Sequence, residues 1–130
     1  MNSMDGTDDN ALTHEVIGAA IEVHRHLGPG LLESTYESCL ARELEIRHVS
    51  FERQVPLPVS YKGVALECGY RLDLLIEGRI VLELKAVEKS TELHKAQLLT
   101  YLRLTGHRLG LLINFNVPFL RDGITRLVQD

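Results

Sequence analysis

Gly69-Tyr-Arg-Leu-Asp-Leu-Leu-Ile-Glu-Gly-Arg-Ile-Val-Leu-Glu-Leu-Lys-Ala-Val87 is the stretch whose reading decides the fold. Residues 69–76 and 80–87 both alternate apolar with other side chains, and both place the apolar set at even numbers: Tyr70, Leu72, Leu74 and Ile76, then Ile80, Leu82, Leu84 and Ala86. Period two means strand. A slip of one residue would turn one strand's apolar set to the wrong face, so paired positions must sum to an even number. Ile76 then faces Ile80 across the three-residue loop Glu77-Gly78-Arg79, a length commonly built with a left-handed glycine. The same register sets Asp73 opposite Glu83, and Lys85 follows Glu83 on the same strand face.

Outward from this hairpin the elements alternate in type. Upstream, Leu12, Val16, Ala19, Val23 and Leu27 recur at helical spacing. They predict a helix over 11–27, capped by Asn10 or Thr13 and stopped by Gly28-Pro29-Gly30. A second helix starts near Leu31 or Leu32, buries Tyr36, Leu40 and Leu44, and ends near Arg47 or His48. Glu33 lies in its first turn, where the helix dipole favours a carboxylate. Val49 to Tyr61 alternate as a strand, and Pro56 and Pro58 put it at an edge or interrupt it. Lys62-Gly63 makes the next turn.

Downstream, residues 91–105 read as a helix opened by Ser90 or Thr91 and closed by Gly106. Leu109 to Ile113 form a continuous apolar run, the pattern of a strand buried on both faces and added in parallel after a helical crossover. Asp122-Gly123 turns into a short last strand over 124–128. The expectation is an α/β domain in the order α-α-βββ-α-β, with a mixed sheet flanked by helices. Residues 1–10 read as an acidic tail and 11–130 as one domain.

Composition fits an ordinary globular protein, with 45% hydrophobic and 25% charged residues. Cys39 and Cys68 have no zinc-ligand spacing, which favours a reduced, cytoplasmic setting. The start of the chain lacks the character of a signal peptide, and no apolar run is long enough to span a membrane. The net charge of −4 tells mildly against a nucleic-acid partner. Of 18 acids and 14 basic residues, however, residues 1–30 hold five acids and Arg25, which leaves 13 of each sign in the remainder. The rest of the chain is therefore formally neutral.

Carboxylates directly opposite on paired strands repel. A divalent cation would offset that, and hard oxygen ligands suit Mg²⁺ or Mn²⁺ better than zinc. The same residues also read as a solvated polar face of a two-sided sheet, but the helix that follows should cover part of that face. A nucleophilic triad finds no support in the spacing of Ser, Cys and His, and Gly28-Pro29-Gly30 is no phosphate cradle.

Asp73, then Glu83-Leu84-Lys85, resembles the D…(D/E)xK signature of the PD-(D/E)xK nuclease superfamily. Gly30-Leu-Leu-Glu33-Ser-Thr-Tyr36 resembles the motif that names the GxxExxY family, and GYRLDLLIEG, ELKAVEK, HKAQLLTYLRLTG and LLINFNVP follow in that family's order. The likeness runs from about Leu12 to Val128. One departure is that Arg71 and Leu72 stand where the signature has its proline. The resemblance implies a restriction-endonuclease-like core and metal-dependent hydrolysis of DNA phosphodiesters. It implies that Asp73, Glu83 and the Leu84 carbonyl hold Mg²⁺ or Mn²⁺, with Glu33 completing the shell directly or through water. Lys85 would position the attacking water and balance charge on the phosphate, and Gln97 would reach in from the third helix. His94 and Tyr101 share the face of Gln97 and read as packing with a satisfied hydrogen bond, and Tyr36 as a support for Glu33. A homodimer stays open. The rival readings are a nuclease fold kept as a nucleic-acid or protein binding module, and a structural α/β protein without nucleic acid.

Overall fold

The computed structural model describes residues 6–129. The hairpin forms in the expected register: β2 (Val64–Ile76) and β3 (Ile80–Lys85) are antiparallel, with Ile76 paired to Ile80 and Leu74 to Leu82. Glu77 and Gly78 both take left-handed φ, at 54° and 67°, and the Arg79 N–H closes onto the Ile76 carbonyl at 2.9 Å. This is the geometry of a type I′ turn, whose twist matches the strands it joins. Gly78 meets it without strain, whereas Glu77 places its carboxylate on the Ser50 N–H at 3.1 Å.

Around this pair, β1 (Phe51–Tyr61), β2, β3, β4 (Leu109–Asn114) and β5 (Ile124–Val128) lie in sequence order in one five-stranded sheet, and only β3 and β4 are parallel. The crossover between those two is α3 (Glu92–Thr105), begun by the Thr91 side chain on the His94 N–H and ended by Gly106. All six residues of β4 are buried, as expected for a central strand covered on both faces. β1 is an edge strand that carries both prolines; Pro56 stays in register with Arg71, and the register shifts between Leu57 and Val59, at Pro58. The architecture is α/β, a mixed sheet with helices on both faces.

One face carries α1 (Gly6–Leu27) and α2 (Glu33–Ile46), whose Val16, Ala20, Tyr36 and Leu40 pack on Leu74, Ile80, Leu82 and Leu111. The opposite face carries Leu98, Tyr101 and Leu102 of α3, packed on Leu75, Val81 and Leu112. Two sequence expectations are corrected here. Leu72 and Tyr70 do not share the face of Leu74 and Ile76. Leu72 is buried among the α3 residues, and the Tyr70 ring meets Tyr101 edge-on at 6.0 Å. The reason is a bend at Gln54, which has φ of 52° and lies between the pairs Arg53–Leu74 and Val55–Leu72, opposite Asp73. Strict alternation fails across that bend, and Asp73 occupies the changeover.

Second, α1 begins at Gly6, not at residue 11, so residues 6–10 of the expected tail are helical, while residues 1–5 lie outside those described. The helix dipole favours Asp8 and Asp9 in its first turn. Arg79 of the hairpin loop pairs with Asp8 and stands 3.6 Å from Asp9, which pins this end of α1 to the β2–β3 turn.

The α1–α2 connection is held by Tyr36. Its hydroxyl donates to the Gly28 carbonyl at 2.5 Å and accepts from the Leu31 N–H at 3.2 Å, while its ring stacks on Phe115 at 4.4 Å. Tyr36→Phe keeps the stack and removes both hydrogen bonds. The expected cost is about 1–3 kcal/mol in urea unfolding with an unchanged slope, because two backbone groups lose their partner.

Candidate functional site

The backbone ladder between β2 and β3 is continuous only as far as Leu74–Leu82. Beyond it, side chains take over. The Asp73 N–H donates to a Glu83 carboxylate oxygen at 3.1 Å, and the Leu84 N–H donates to an Asp73 carboxylate oxygen at 2.7 Å. The two acids are thus interlocked where the strands part, next to the bend at Gln54. Glu83 is 6% exposed and Asp73 is half-buried.

The electrostatics follow from that position. Burial pushes Glu83 up to about 8, helped by the neighbouring Asp73 charge and opposed by the Asp73 N–H and Lys85. Asp73 is also raised, chiefly by burial, with the Leu84 N–H pulling the other way and the Glu37 charge adding to the rise. Tyr101 is raised by burial and by Glu83. Its hydroxyl accepts from the Gln97 side chain at 3.0 Å, so α3 presents a Gln97–Tyr101 pair on the side of Glu83.

From the other face, α2 brings Glu33 and Glu37. Glu33 is exposed, and its carboxylate accepts the Ala86 N–H at 3.3 Å, directly after Lys85. Its charge reaches both Asp73 and Glu83. Lys85 is half-buried at the end of β3, paired in register with Asn114 of β4. Leu84 touches Asp73 through its N–H, where the resemblance implied a role for its carbonyl. His94 caps its own helix, with its ring nitrogen accepting the Thr91 N–H at 3.1 Å, a satisfied hydrogen bond away from the acids.

Two site neighbours escaped the sequence reading. Glu37 is 8% exposed and accepts from Arg53 at 3.0 Å and from Gln54 at 2.7 Å, which fixes the bend beside Asp73. Its spacing of four from Glu33 on one helix was the available signal. Asn114 is 2% exposed, bonds both backbone groups of Val87 at 2.9 and 3.1 Å, and so holds the chain just past Lys85. No sequence signal distinguishes it from the end of an apolar run.

Among the described residues no group of three or more Asp, Glu, His or Cys side chains converges closely enough to hold a metal ion. The donor set still suits one kind of cation. Mg²⁺ commonly takes one or two carboxylates and keeps several waters, and the buried Glu83 with the half-buried Asp73, beside a solvent-facing Glu33, offers that. No helix among the described residues is long and apolar enough to cross a membrane.

No protein of curated function and no solved structure gives a significant match. Residues 10–127 match the family model described as the PD-(D/E)XK nuclease superfamily, a span that covers every residue of the cluster and all of the sheet but Val128 at the end of β5. A five-stranded mixed sheet flanked by helices is consistent with its restriction-endonuclease-like fold, and the chain belongs to the PD-(D/E)XK nuclease superfamily.

Proposed function

We propose that this chain is a metal-dependent nuclease of the GxxExxY type that hydrolyses DNA phosphodiester bonds with Mg²⁺ or Mn²⁺. The observation that carries this reading is the pair of interlocked carboxylates, Asp73 and Glu83, at the parted end of the hairpin beside Lys85. Burying two acids side by side costs stability, and a bound cation offsets that cost. Gly30, Glu33 and Tyr36 support the GxxExxY affiliation.

In this reading Asp73 and Glu83 would hold the cation, with the Leu84 carbonyl, and with Glu33 directly or through water, as the remaining protein ligands. When bound, the cation supplies a Lewis acid for the phosphoryl oxygen and acidifies water. Lys85 orients the attacking water and balances the negative charge that builds on the phosphate. Gln97, held by Tyr101, bounds the site from α3. Asn114 and Glu37 are positioning residues, acting through the Val87 backbone and Gln54 respectively.

One observation favours a second reading, a nuclease fold retained as a binding module: both acids already accept a backbone N–H, and among the described residues no third acid joins them. A panel of labelled duplex, single-stranded and branched DNA and RNA, incubated with Mg²⁺, Mn²⁺ or EDTA, separates the two. The nuclease reading expects cleavage of DNA only with metal. In the same assay Lys85→Met should lower turnover roughly 10²-fold or more while metal binding persists, the scale of losing one charge-stabilising group. Absence of cleavage on every substrate with either metal would leave the binding module as the surviving reading.

A further inference from the structure

We propose that the groove between the C-terminal turn of α1 and the segment 117–121, which runs into a short 3-10 helix at Leu120, is a second nucleic-acid subsite, which takes an unpaired base of the substrate strand and its flanking phosphates. The inference deepens the nuclease reading and rests on it for the identity of the strand.

Shape and chemistry point to this occupant. The groove encloses a cavity of about 420 Å³, within the usual range of small-ligand sites. Its walls are apolar, from Ile21, Pro29 and Pro118, and its lip is Phe119, which is 70% exposed. An aromatic ring held out to solvent at the mouth of an apolar cleft suits a nucleobase, since every base has a face to stack. Arg25 and Arg121 also line the groove, and among the described residues no acid does. Among the described residues Arg121 makes no ion pair. Arg25 meets Glu22 at 3.3 Å in an exposed pair of the weak kind that a phosphate can displace. In a chain of net charge −4, a concave surface with two guanidinium groups and no carboxylate is complementary to a phosphate backbone.

Hydrogen bonds tie the two walls of the groove together and link each to a segment that carries a site residue. The His24 imidazole donates to the Val117 carbonyl at 2.8 Å, which ties one wall to the other. One wall continues through Gly28, bonded by Tyr36, to Glu33 at the start of α2. The other begins at Phe115, whose N–H donates to the Lys85 carbonyl at 2.9 Å. Bases inside a duplex are stacked and cannot enter such a cleft, so the preferred substrate carries a single-stranded stretch or an open end.

The test is fluorescence anisotropy of the full chain in EDTA, where no cleavage is needed, with labelled oligothymidylate and a blunt duplex of equal length. Wild type should bind the single strand more tightly. Phe119→Ala and Arg121→Gln should each weaken that binding by about tenfold, the scale of one lost stacking or phosphate contact. Arg121→Gln should also reduce the salt dependence by about one counterion. Phe119→Tyr should retain wild-type affinity, and thermal melts of all variants should coincide with wild type. Equal binding of single strand and duplex, or wild-type affinity in both Phe119→Ala and Arg121→Gln, overturns the proposal. Because binding is read without metal, a protein that binds as described and never cleaves refutes the nuclease reading and leaves the groove standing. One that cleaves but ignores both substitutions refutes the groove alone.

Discussion

Glu83→Gln is expected to lose DNA cleavage by on the order of 10³-fold or more and, in the same protein, to gain stability above neutral pH. The catalytic loss follows from removing a charged cation ligand, since several kcal/mol of charge stabilisation correspond to that many decades of rate. The stability gain follows from linkage. Glu83 has its ordinary value of 4.5 in the unfolded chain and about 8 in the metal-free fold, so between those values the folded state holds the extra proton. Stability without metal is therefore greatest at low pH within this window and falls as pH rises from about 4.5 to about 8, by an amount of order several kcal/mol. Asp73, raised in the same direction, adds to the fall. Glutamine keeps an oxygen to accept the Asp73 N–H at the same place and carries no charge, so the pH slope in EDTA should largely vanish. Urea melts at pH 5, 6, 7 and 8 check this. A variant that is less stable than wild type at pH 8, with its slope unchanged, would mean that the charged form of Glu83 is structural.

The second large effect is on melting temperature. Mn²⁺ or Mg²⁺ that binds only the folded chain should stabilise it by about 2.7 kcal/mol at 100 times its dissociation constant, or roughly 10 °C for a chain of this size. Asp73→Asn removes one charge of the pair and keeps an oxygen for the Leu84 N–H, so it should melt at or above wild type in EDTA. The metal-induced rise should disappear. If Asp73→Asn is plainly destabilised in EDTA and wild type gains nothing from metal, the two acids are structural.

How far the sequence carries depends on what each residue's role rests on. The Ile76–Ile80 register follows from the parity of apolar positions, a local property, and the structure holds it; Asp73 and Glu83 are also neighbours, but through side chain–backbone hydrogen bonds beyond the end of the ladder, where the parity breaks. The β1 edge follows from proline's missing N–H, and buried β4 from its unbroken apolar run. The exchange of faces at Gln54 was not legible, because a left-handed glutamine leaves no mark in the sequence and is held by Glu37 from another element. The early start of α1 was equally hidden. Its acids look like a solvated tail until Arg79, some seventy residues later, is placed beside them. Glu33 was marked by the resemblance to GxxExxY, whereas Glu37 and Asn114 gain their roles only through tertiary contacts.

The most direct test of the central claim, that Asp73 and Glu83 form a cation-dependent hydrolytic site, is Mn²⁺-dependent cleavage of labelled DNA by wild type and Asp73→Asn side by side, with an EDTA control and a melt confirming that both are folded. The account predicts cleavage by wild type with Mn²⁺, none in EDTA, and none by Asp73→Asn under either condition. Cleavage by folded Asp73→Asn at the wild-type rate, or cleavage by wild type that persists in EDTA, would contradict it.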